Sequence, residues 1–135
     1  MEHFELAIDI GPDDIDDLGH VNNVVYVRWV QDVAIAHWST AATAAQQEAV
    51  AWVAIRHEID YKHPALPGDA IIARTWVGTA DSHRFERNTE ILRASDRKVL
   101  ARARTLWCPV SRATGKLIRV RREIRERFSV DPVEH

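Results

Sequence analysis

Apolar and polar positions alternate from the start of the chain. Phe4, Leu6, Ile8 and Ile10 fall on one side and predict a short strand over residues 3–10. Gly11-Pro12 ends it. An acidic turn follows, Asp13-Asp14-Ile15-Asp16-Asp17-Leu18-Gly19-His20, and then Asn22 or Asn23 stands where a helix cap belongs. The helix is expected from about Asn23 to Trp38. Val24, Val27, Val30, Ala34 and Trp38 share one stripe, while Val25, Trp29, Val33 and Ala36 cover much of the rest. Only Arg28, Gln31, Asp32 and His37 interrupt. A helix apolar on nearly every side is expected to be buried on nearly every side. Residues 39–50 are rich in Ala and Gln and fit a second, more exposed helical piece.

From Ala51 the period changes to two. Val53, Ile55, His57, Ile59 and Tyr61 alternate with Trp52, Ala54, Arg56, Glu58 and Asp60. Pro64 and the turn Pro67-Gly68-Asp69 end that strand. Ile71, Ala73, Thr75 and Val77 mark the next. Phe85, Thr89 and Ile91 mark another, with Arg84, Glu86 and Glu90 opposite. After Ser95-Asp96, the positions Val99, Ala101, Ala103, Thr105 and Trp107 form a fourth long strand. Val120, Ile124 and Phe128 then sit four apart on a short terminal helix, with Glu123 and Arg127 spaced as an i,i+4 pair. The order is strand, long helix, four-strand meander, short helix. One antiparallel sheet wrapped around one apolar helix buries both, an α+β architecture. Its edge strands and partly apolar outer positions predict a homodimer that covers an edge.

Length, at 135 residues, fits one domain with a sizeable core. No repeat, linker or composition break divides residues 1–135. Apolar residues make up 46% and charged residues 28%, far from a disordered composition. The net charge of −2 hides an asymmetry. Residues 1–60 hold 11 acids and only Arg28 and Arg56, whereas residues 61–135 hold 9 acids against 16 Lys and Arg. The expectation is that the two halves pair. The alternative is a basic surface turned to an anionic ligand.

A single cysteine, Cys108, excludes an internal disulfide and a cysteine-based zinc cluster. The opening Met1-Glu2-His3-Phe4-Glu5 lacks the regions of a signal peptide, and no stretch nears ~18 consecutive apolar residues. A cytoplasmic setting without membrane contact is therefore expected.

The densest polar cluster is Asp14, Asp16, Asp17, His20, Asn22 and Asn23, in the turn feeding the long helix. A helix N-terminus offers unpaired N–H groups and partial positive charge, which polarise a carbonyl or hold an oxyanion. A carboxylate just upstream is placed to attack that carbonyl or to activate water against it. The plain alternative is that these residues only cap the helix.

The run Asp14-Ile15-Asp16-Asp17-Leu18-Gly19-His20-Val21-Asn22-Asn23, followed by Tyr26 and Trp29, resembles the 4-hydroxybenzoyl-CoA thioesterase family. These are hotdog-fold acyl-CoA and acyl-ACP thioesterases with the motif Asp-x-Asp-x-x-Gly-His-Val-Asn-Asn-x-x-Tyr. Ile59-Asp60-Tyr61 with Pro64-Ala65 and Gly68-Asp69, and Ala101 to Trp107, look like the family's later strand signatures. The resemblance spans about residues 4–128. It implies a hotdog fold and a thioester hydrolase that works as a dimer or tetramer on acyl-CoA or an acyl carrier protein. It implies no metal or redox cofactor, coenzyme A entering only as part of the substrate.

By the same resemblance Asp16 is the catalytic carboxylate, as nucleophile or general base. His20 is a second participant, and Asn23 shapes the site. Gly19 and Tyr26 are motif positions expected at the substrate. Val24, Val25 and Tyr61 are expected to line the acyl chain. Two departures stand out: Leu18 replaces the Asn of the plant acyl-ACP branch, and Gln31 stands where bacterial relatives carry Glu. Rival readings are a hotdog hydratase or dehydratase, a non-catalytic acyl-CoA-binding module and a purely structural dimer.

Other candidates are weaker. His57 and Glu58 are adjacent on a strand and point to opposite faces, which argues against a metal site with His63. His83 and Arg84, with Arg87, Arg102 and Arg104, are candidates for the coenzyme A phosphates, because a guanidinium presents a fork to phosphate. The Arg-rich terminal helix lacks the aromatic platform of a nucleic-acid site but suits an acidic carrier protein. Cys108 has no motif around it, and the five Trp residues are expected in core and interface.

Overall fold

The computed structural model describes residues 3–81 and 83–128 and the backbone of 131–132. Met1 and Glu2, which enter the reading of the N-terminus, lie outside the described residues. Strand β1 is Phe4–Ile8 and helix α1 is Asn23–Ala41. A short helix α2, Ala44–Ala49, leads into β2, Val50–Tyr61. The meander continues as β3, Ile71–Ala80, β4, Phe85–Arg93, and β5, Val99–Ser111. Helix α3 is Arg122–Arg127 and β6 is the two-residue Asp131–Pro132. The sheet order is β1-β3-β4-β5-β2, with β6 beside β3. All pairings are antiparallel except that of β6.

The long helix lies across β1, β3 and β4. Its N-terminal half, through Val25, Tyr26, Trp29 and Val33, packs on Ile71, Ala73, Ile91 and Ala101. Its C-terminal half, through Ala34 and Trp38, packs on Val77, Phe85 and Trp107, and Val120, Ile124 and Phe128 close that end. The inner face of β2 is left partly open, and a cleft lies at each of its ends.

Several expectations need correction. The helix is not buried all round: Val24 is 73% exposed and Ile35 is 60% exposed. They face away from the sheet, so part of the apolar surface is left unpartnered within one chain. In β2 the pairing with β5 slips by one residue between Ala54 and Arg56. The bulge reverses the facing of the first half. Trp52 and Ala54 therefore share the inner face with His57, Ile59 and Tyr61, opposite Pro109, Trp107, Thr105, Ala103 and Ala101. Val53 and Ile55, expected on the face of His57, are instead half exposed. In α3 the i,i+4 ion pair is Arg122–Glu126 at 2.8 Å, one position earlier than expected. The acidic and basic halves do not neutralise each other contact by contact. Of the eight ion pairs among the described residues, only Arg97–Glu5 joins them. Among the described residues no helix is long and apolar enough to cross a membrane.

Candidate active site

The acidic turn is built from its own carboxylates. Asp14 is buried; it accepts the Gly11 amide at 2.9 Å and pairs with Arg28 Nη2 at 2.9 Å. The Gly11 amide, with Arg28 behind it, holds the Asp14 carboxyl below the usual carboxylate range against the opposing effect of burial. This acid is committed to structure. Asp16 is committed by one oxygen only. Its Oδ1 accepts the backbone N–H of Leu18 at 2.9 Å and of His20 at 3.2 Å, and no partner holds Oδ2 among the described residues. The loop closes with Gly19 N donating to Asp16 O at 3.0 Å and Asp16 N to His20 O at 2.8 Å. Gly19 has φ +75, a left-handed conformation that costs a side chain dearly. Its role is to turn the chain; it does not line the cleft.

The helix cap is Asn22, whose side chain accepts the Val24 amide at 3.1 Å. Asn23 is thus the first helical residue, and its side chain is spared for other work. Its carbonyl accepts the Tyr61 hydroxyl at 3.0 Å, tying the end of β2 to the start of α1. Tyr26 is 2% exposed, and its hydroxyl accepts the Ala65 amide at 2.9 Å. Tyr26 and Tyr61 meet edge to face at 5.3 Å. Burial raises the pKa of both phenols, so both stay protonated at neutral pH. Tyr26 is therefore a wall and a loop anchor. Tyr26→Phe would leave the Ala65 N–H unpaired and is expected to cost about 1–3 kcal/mol, read as a lower denaturant midpoint.

Asp16, His20, Asn22, Asn23, Tyr26 and Tyr61 line a cleft of about 430 Å³ at the positive end of α1. Leu18, Lys62, His63 and Pro64 share its wall. Asp16, His20, Asn23, Tyr26 and Tyr61 are thus brought together as expected. Val24 is not among them, because it points to solvent; Val25 is in the core. His83 and Arg84 lie at the other end of the sheet, in the β3–β4 turn, where both amides donate to Asp81 Oδ1 at 2.8 Å. Sequence reasoning missed Lys62. The signal was its position directly after Tyr61, where the strand end meets the acidic turn.

A second, larger cleft of about 670 Å³ opens at the far end of α1, between its C-terminal half and the first half of β2. Trp38, Trp52, Phe85, Trp107 and Phe128 make it aromatic. No group of three or more metal-ligating side chains occurs among the described residues.

No protein of curated function matches this sequence. The family model of the thioesterase-like superfamily matches residues 10–128. Among solved structures, a 1,4-dihydroxy-2-naphthoyl-CoA thioesterase from Synechocystis is similar, with 20% identity over 95% of this chain and 96% of that one and a TM-score of 0.81. A thioesterase from Thermus thermophilus, complexed with coenzyme A and zinc, is 21% identical over 92% and 90%, with a TM-score of 0.80. A DHNA-CoA thioesterase from Staphylococcus aureus is 17% identical over 96% and 90%, with a TM-score of 0.83. The chain belongs to the thioesterase-like superfamily and has its hotdog fold.

Proposed function

We propose that this protein hydrolyses an acyl thioester of coenzyme A, or of an acyl carrier protein, to the free acid and the thiol. The observation that carries the reading is Asp16. One carboxylate oxygen is fixed by two backbone amides, and the other has no partner among the described residues, in a cleft at a helix N-terminus. In the general-base route Oδ2 takes a proton as water attacks the carbonyl carbon. The oxyanion forms at the first turn of α1; the C–S bond then breaks, and the leaving sulfur takes the proton that Asp16 accepted, which releases the thiol and restores the carboxylate. In the nucleophilic route Asp16 attacks the carbonyl carbon and the C–S bond breaks, expelling the thiolate, which takes a proton from solvent; the mixed anhydride left behind is opened by water to the free acid and the Asp16 carboxylate. Both routes need the same residue. His20, on the same wall, is the candidate second participant, and Lys62 brings positive charge to the mouth.

The working form is proposed to be a homodimer. Strand β2 is an outer strand of 12 residues with Val53 and Ile55 exposed, an edge that natural proteins seldom leave open. Two copies pairing β2 antiparallel about a two-fold axis bring the Tyr61 end of one strand to the Trp52 end of the other. The Asp16 cleft of one copy then meets the aromatic cleft and the His83-Arg84 turn of its partner. Ile55→Asp is expected to convert the dimer to monomer in light scattering and to lower turnover with it. An unchanged dimer would place the interface elsewhere.

The test of the function is thiol release from a panel of short, long and aromatic acyl-CoAs. Turnover of at least one is expected. Tight binding without turnover would instead support a binding module.

A further inference from the structure

The aromatic cleft has a charged floor that hydrolysis at Asp16 does not use. Arg87 is 5% exposed and lines that cleft. Its Nη1 donates to His37 Nδ1 at 2.8 Å and to Thr75 Oγ1 at 3.3 Å. Its guanidinium carbon sits 5.9 Å from the centre of the Phe128 ring. Among the described residues no carboxylate pairs with it, and Nε and Nη2 make no hydrogen bond.

That arrangement is costly as it stands. A buried charge is ordinarily paired, because its lost hydration is not otherwise replaced. His37 offers only a neutral lone pair. Its pKa is pushed down to about 4 by burial and then by Arg87. The other charged residue on the cleft wall is a second cation, Arg112, whose Nε donates to Gln47 O at 2.8 Å. Two cations thus line an apolar room of about 670 Å³, and no acid stands in its wall among the described residues. A carboxylate meets a guanidinium through two parallel bonds, and Nε with Nη2 is one such fork.

We propose that the aromatic cleft is a binding site for a small organic carboxylate on an apolar or aromatic body, with Arg87 as its counter-ion. Arg87 is held in place by His37 and Thr75, and the aromatic side chains take the body. The site needs no turnover at Asp16, so the proposal stands or falls apart from the hydrolase reading.

The test uses benzoate and its neutral counterpart benzamide on the full-length protein, followed by calorimetry and by the fluorescence of the cleft tryptophans. Benzoate is expected to bind at least ~10-fold more tightly than benzamide. Arg87→Met is expected to bring the two to within about twofold while leaving benzamide binding in place. Arg87→Lys, which keeps the charge, is expected to retain part of the preference. Arg112→Gln is expected to change it little. Equal affinities in the wild type, or no binding of either compound, would overturn the proposal even if Arg87→Met failed to fold. So would a preference that survives Arg87→Met or disappears with Arg112→Gln.

Discussion

Asp16→Asn is expected to lower the rate of thiol release by ~10² or more while the protein stays folded. The substitution separates the two jobs of this side chain. The amide oxygen of Asn can still accept the Leu18 and His20 N–H groups that Asp16 Oδ1 accepts now. The turn therefore keeps its hydrogen bonds. What disappears is the basic, nucleophilic oxygen facing the cleft. Asp16→Ala would remove both jobs at once and leave two amides unpaired, so its loss of rate would be harder to read. An unfolding midpoint close to the wild type, beside the lost rate, is the expected signature of Asn.

The second large effect is acid lability. His37 is buried between Phe4, stacked at 5.0 Å, and Phe128, edge-on at 4.8 Å, with Arg87 at 2.8 Å. Burial first, and the neighbouring guanidinium second, lower its pKa from 6.5 to about 4. The unfolded chain takes up a proton as pH falls through 6.5, and the folded chain does not until about 4. The stabilisation from a neutral His37 is present above pH 6.5 and is lost progressively between 6.5 and 4. A shift of this size corresponds to about 3 kcal/mol. His57, also shifted down by burial, acts in the same direction. Asp14, shifted down, adds its own loss only below the carboxylate range. Denaturant unfolding of wild type and His37→Asn across this window measures the effect. Asn can still accept from Arg87 but does not titrate, so a flatter pH dependence is expected. Equal slopes would mean that His37 is protonated in both states or in neither.

Much of the architecture was legible because the period of apolar residues changes sharply, from helical before Trp38 to two after Ala51. The facing of residues within it was less so. A one-residue bulge at Ile55 leaves no mark on composition, yet it turns Trp52 and Ala54 inward and Val53 outward. Periodicity marks Val24 and Ile35 as apolar without saying what covers them. In the candidate site the acidic cluster and the helix start were visible. Which acid is committed was not, because Asp14 is claimed by Arg28, 14 residues away, and by the Gly11 amide. Which Asn caps the helix depended on one side-chain hydrogen bond. The Arg87–His37 contact joins residues 50 apart on a strand and a helix, and no local pattern encodes it.

Asp16 is proposed to drive thioester hydrolysis at the start of α1. The most direct test is thiol release by wild type and Asp16→Asn in parallel, on whichever acyl-CoA the wild type turns over best, with substrate affinity measured for both. Comparable affinity and a rate lower by ~10² or more in the variant are expected. Equal rates in the two proteins would contradict that role of Asp16.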